Sequence, residues 1–222
     1  MGALLFFLAG LPLAYAADRL VRRFATPYTD DDVLSGERKR LLWQMEPWAT
    51  RLRVGLVSLI PGLTALAGAR FDAPAAAVVS LLLAALLVCT ATDLLRYRVP
   101  NAITYPGIAL ALVASLLMPG ADVMSALLAA ILGGSVFLLM SILTRGGLGL
   151  GDVKLATLIG AALGLPAAYQ ALAFGIVVGG IVILALFLVG LVGRRQAVPY
   201  APFLALSAVA VVLVHGAAFA PL

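Results

Sequence analysis

The chain has 222 residues, of which 64% are hydrophobic and only 11% charged, and its mean hydropathy is +1.13. That balance lies far outside the range of soluble proteins and makes the lipid bilayer the solvent. A net charge of +5 and a pI near 9.8 could suit nucleic acid, but in so apolar a chain a basic excess belongs in cytoplasmic loops, and no nucleic-acid partner is expected.

Apolar runs recur along almost the whole length, broken by short polar or Gly/Pro punctuation. Only helices satisfy their backbone groups alone in lipid, so the expected fold is all-α, a polytopic membrane helix bundle forming one embedded domain over residues 1–222. The single cysteine, Cys89, sits inside an apolar run and can form neither an intrachain disulfide nor a cysteine-based metal site.

The first element spans residues 2–17. Its Ala14-Tyr15-Ala16 resembles a signal-peptidase site, but Arg19, Arg22 and Arg23 follow the apolar stretch instead of preceding it. This order reads as a retained helix with its N-terminus outside. Further helices are expected over 54–70, 74–92, 102–118, 123–143, 152–165, 167–192 and 200–221, about eight spans in all. The first and sixth are short for a span, so they must thin the bilayer or begin inside a protein-lined recess. With the N-terminus outside, the cytoplasmic loops are 18–53, 93–101, 144–151 and 193–199, and every Lys and Arg except Arg70 falls in them or at their helix ends. The expected location is therefore the inner (plasma) membrane, with membrane lipid as the surrounding partner.

The acids divide unevenly. Asp18, Asp30, Asp31, Asp32, Glu37 and Glu46 fall in the first cytoplasmic loop, and Asp72 and Asp122 in short external turns. Asp93 and Asp152 are left at the ends of apolar runs, where an ionisable group is costly enough to suggest a task. Two spans separate them, which returns both carboxylates to one membrane face. Two carboxylates brought together share a proton: one can take a proton from water while the other donates to a peptide carbonyl. Helix polarity suggests Asp152, at a helix start, as the resting base and Asp93, at a helix end, as the acid.

Around Asp152 the chain reads TRGGLGLGDVKLATLIGAALG, with Gly146, Gly147, Gly149 and Gly151 crowded before the acid. A loop so poor in side chains can lie beside an extended peptide and offer it main-chain hydrogen bonds. The combination resembles the GxGD motif of the type IV prepilin peptidases and archaeal preflagellin peptidases. TDLLRYRVPN, from Thr92 to Asn101, is similar to that family's first aspartate segment, including its closing Pro-Asn at Pro100 and Asn101. VPYAPFLAL, from Val198 to Leu206, is similar to its late segment, with Tyr200 and Ala201 where the family usually has Phe and Gly. The resemblance covers most of residues 74–210. It implies an aspartic endopeptidase with Asp93 and Asp152 catalytic, Gly149 and Gly151 shaping the substrate groove, and Lys154, Pro100 and Asn101 in support. It also implies a prepilin or pseudopilin precursor as partner, cut after its basic leader at the cytoplasmic face, with no cofactor for proteolysis. Bifunctional members also methylate the product from S-adenosylmethionine; the paired zinc-binding cysteines of the longer members are missing from loop 18–53, so no metal is expected and methyl transfer is left open.

Other features carry weaker signals. Asp30–Asp32 could dock a basic leader or cap a helix starting near Val33. ERKRLLWQMEPW, with Trp43 and Trp48, suits a helix lying among lipid headgroups. Lys154 can offset the dyad's charge, contact substrate backbone, or simply snorkel. His215, the single histidine, falls away from both acids. The rival reading is a proton-coupled small transporter using the two aspartates, which should place its acids at the midplane and show an internal repeat.

Overall fold

A computed structural model describes residues 2–25, 46–144, 148–191 and 198–221. The chain is an all-α polytopic membrane bundle. Its helices are α1 (Gly2–Ala25), α2 (Glu46–Ser58), α3 (Ile60–Arg70), α4 (Ala73–Arg96), α5 (Asn101–Leu117), α6 (Val123–Leu143), α7 (Leu150–Leu163), α8 (Ala167–Leu188) and α9 (Ala201–His215). Among the described residues, five helical stretches are long and apolar enough to cross a membrane: α1, Trp48–Arg70, α4, α6 and α8. Each of the eight expected segments falls on one or two of these helices, but α5, α7 and α9, also expected as spans, are shorter than the five, and the departures in bounds have local causes.

Helix α1 runs on through the charged residues to Ala25, where a loop was expected from residue 18. Asp18 accepts from Arg22 Nε at 2.7 Å, one helical turn on, and lies 2.9 Å from Arg53 Nε on α2. These pairings satisfy the charge within helical geometry and let the helix continue. The chain between α2 and α3 turns briefly at Leu59, ahead of Pro61, which has no N–H to continue the ladder. At the other terminus α9 stops at His215 instead of continuing to residue 221. Gly216 takes a positive φ of 85°, and Gly216–Ala217 pairs antiparallel with Ala220–Pro221. Ala218 N–H donates to Ala162 O at 2.9 Å, and Phe219 is buried, so this hairpin closes the bundle end where α7 finishes.

Helix α4 lies at the centre. Val79, Leu83, Leu86 and Cys89 are buried in the main core, while Ala84, Val88 and Ala91 pack against α1 and α3 residues such as Val21 and Ile60. Outward positions of α6 and α8, including Leu128, Ile131, Val177 and Ile181, are exposed as lipid-facing helices require. The 14-residue α7 is too short to span alone, yet most of it is buried, because α5, α6, α8 and α9 surround it. It thus starts in a protein-lined recess. Glycine permits this tight enclosure: a side chain at Gly160 would collide with the backbone of Ala129 and Ala130 on α6.

Candidate active site

Asp93 sits in the last turn of α4, and Asp152 in the first turn of α7. Topology brings these two ends and the start of α9 together at one end of the bundle. Both acids are withdrawn from solvent, at 6% and 8% exposure, and lie within electrostatic reach of each other. Asp72 and Asp122 lie just before the starts of α4 and α6, at the opposite end.

Main-chain donors hold each carboxylate. Ala201 N–H, the first residue of α9, donates to Asp93 Oδ2 at 3.1 Å, and the Tyr200 N–H faces the same group. Asp152 is the third residue of α7 after its N-cap, Gly149; its own N–H donates to Gly149 O at 3.0 Å, and the Gly149 N–H faces its carboxylate. The result resembles half of a capping box. Both acids therefore lie against a helix N-terminus, Asp152 its own and Asp93 that of α9. The placements behind the helix-polarity expectation hold, Asp152 at a helix start and Asp93 at a helix end, and α9 adds beside Asp93 a positive end that α4 does not supply.

The turn after Asp93 is shaped by Tyr97, left-handed at φ 52°, whose N–H caps Asp93 O at 2.7 Å. Pro100 is the N-cap of α5, and its carbonyl accepts from the N–H groups of Ile103 and Thr104. Gly149 and Gly151 prove to be different positions. Gly149 is exposed, and a Cβ there would stand in ordinary contact with Asp152 Oδ2, at 3.5 Å, and with the Gly151 nitrogen, at 3.8 Å. Gly151 is packed: a Cβ would meet Val99 Cβ and Cγ2 at 3.0 Å, so it joins α7 to the turn after Asp93. Lys154 does not face the acids. Its Nζ donates to Asn101 Oδ1 at 2.7 Å and lies 5.7 Å from the Tyr105 ring centre.

Sequence reasoning assigned no role to Tyr200 or Ala201, although the late segment that contains them was picked out. Ala201 acts through its N–H, which Gly and Ala share, so its departure from the family's residue costs nothing at Asp93. The Tyr200 hydroxyl donates to Ile176 O at 3.0 Å, and its ring fills the space beside Gly179, anchoring the start of α9 to α8. Asp30–Asp32, Trp43, Gly146 and Gly147 lie outside the described residues. His215, at the far end of α9, takes no part in the site.

No solved structure matches the chain. A curated relative, the prepilin leader peptidase/N-methyltransferase of Bacillus subtilis, is 32% identical over 152 residues, covering 64% of this chain and 58% of the relative. The match thus spans less than two thirds of that protein's length. The model of the type IV leader peptidase family matches residues 80–184, a stretch that begins on the buried face of α4, contains both Asp93 and Asp152, and ends within α8. Through that stretch the chain is similar to the type IV leader peptidase family.

Proposed function

We propose that this chain is an intramembrane aspartic endopeptidase that removes the basic leader from type IV prepilin-like precursors at the cytoplasmic face of the membrane. The observation that carries the reading is the meeting of Asp93 and Asp152, each with a main-chain donor and both withdrawn from bulk water. One carboxylate, ionised, takes a proton from water as that water attacks the scissile carbonyl. The other, protonated, donates to the carbonyl oxygen, and the leaving amine then recovers a proton from the dyad. The pair acts as a unit, and no proton is assigned to one member at rest. Exposed Gly149 leaves room for an extended peptide beside Asp152.

The cytoplasmic placement rests on charge. Arg96 Nε donates to Ala25 O at 2.6 Å, which brings the basic end of α1 to the same bundle end as the acids, whereas Arg70 bonds Leu213 O near the other end. Asp93 and Asp152, each in the terminal turn of a helix and both at one end of the bundle, weigh against a carrier, which needs its site near the midplane.

The test is co-expression with a precursor bearing a basic leader and an apolar helix. Wild type should remove the leader, and Asp93→Asn and Asp152→Asn should each abolish removal while the protein still inserts. Leader removal persisting in both variants would reject the dyad; proton-coupled uptake without cleavage would favour the carrier.

A further inference from the structure

Asp152 and Lys154 are two residues apart on α7 and so point to roughly opposite sides of the helix. One side carries the acid. The other carries a lysine whose ammonium is held by Asn101 and by the face of Tyr105, one turn apart on α5. Among the described residues no ion pair joins Lys154 to an acid.

The contact belongs to a seam. Gly151, Lys154 and Leu158 share one face of α7 at helical spacing, and they meet Val99, Asn101 and Gly107 in turn. Gly151 against Val99 and Leu158 against Gly107 are apolar contacts without direction. Lys154 to Asn101 is the hydrogen bond that crosses this seam among the described residues. Val99 belongs to the turn leaving Asp93 and Asn101 opens α5 directly after that turn, while Gly151 and Lys154 flank Asp152. The seam therefore closes a ring through Asp93, that turn, the start of α5, α7 and Asp152. Two carboxylates brought together repel when both are charged, which pushes the ends of α4 and α7 apart. A directional bond at this point opposes that separation.

We propose that Lys154, Asn101 and Tyr105 form a positioning latch that fixes Asp152 against the turn after Asp93 and so sets the spacing of the two carboxylates. The proposal rests on the peptidase reading. It assigns Lys154 neither to charge compensation at the dyad nor to substrate contact.

The test uses the full chain in lipid vesicles with a precursor bearing a basic leader and an apolar helix, and measures kcat and KM separately. Lys154→Met and Asn101→Leu should each lower kcat on the order of tenfold or more, with KM moving less than about threefold. The double variant should be no slower than the worse single one, because both remove the same bond. Asn101→Asp keeps an acceptor opposite the ammonium and should restore most of the turnover lost in Asn101→Leu. A rise in KM at constant kcat would overturn the latch in favour of substrate contact, and unchanged kinetics or strictly additive losses would also overturn it. If Lys154→Met does not insert, the Leu and Asp variants of Asn101, which keep the lysine, decide between the outcomes. Asp93→Asn and Asp152→Asn are run alongside: cleavage persisting in them defeats the peptidase reading itself, whereas their loss of cleavage beside unaffected latch variants defeats only the latch.

Discussion

The N–H of Ala201 lies 3.1 Å from Asp93 Oδ2, although 108 residues separate them. This one main-chain bond ties the start of α9 to the end of α4 and holds one of the two acids in place. Because the donor is backbone, the side chain at 201 is secondary. Ala201→Gly should retain leader removal. Ala201→Pro, which suits the first position of a helix but has no N–H, should lower kcat on the order of a hundredfold. Parallel thermal unfolding in detergent separates loss of the bond from loss of the fold. Equal activity in the two variants would show that this donor does not matter.

The two glycines of the motif should respond differently. Gly151→Ala puts a methyl 3.0 Å from Val99, which must give way; it should destabilise by about 1–3 kcal/mol and be relieved in part by Val99→Ala. Gly149→Ala, exposed and with its methyl only in ordinary van der Waals contact, should change stability by less than about 0.5 kcal/mol. It should nonetheless slow leader removal, because its methyl stands 3.5 Å from Asp152 Oδ2, on the side where the proposed reading puts the substrate backbone. Thermal unfolding and leader-removal rates, measured on both variants, check the contrast.

The spans were legible because lipid demands uninterrupted apolar helices, and α6 and α8 contain no charged residue. Asp93 and Asp152 were legible by their position at the ends of apolar runs. The extension of α1 was not, because Asp18 finds a partner in Arg53, distant in the chain and invisible to local pattern. The closing hairpin was hidden for a different reason: GAAFAPL is apolar and reads as more of the same span. Lys154 illustrates the limit most clearly. Its place beside Asp152 suggested a role at the acids, while its direction around the helix sends it to Asn101.

A shared proton predicts the shape of the pH dependence. Leader removal, measured as kcat/KM against pH, should be bell-shaped. Activity falls on the acid side as the base of the dyad becomes protonated, and on the alkaline side as its acid loses the proton that it must donate. The two limbs belong to the pair, so replacing either aspartate by asparagine should remove the bell altogether instead of shifting one limb. A rate that rises steadily with pH through the alkaline range would point to a different catalytic group.

The most direct measurement of the central claim is proximity itself. In a Cys89→Ala background, cysteines placed at 93 and 152 should be joined by a short thiol-reactive cross-linker in the membrane, with the linked peptides identified by mass spectrometry. Cysteines at 93 and 122 should stay unlinked, since Asp122 lies at the opposite end of the bundle. Linking of 93 to 122, with none of 93 to 152, would contradict the account.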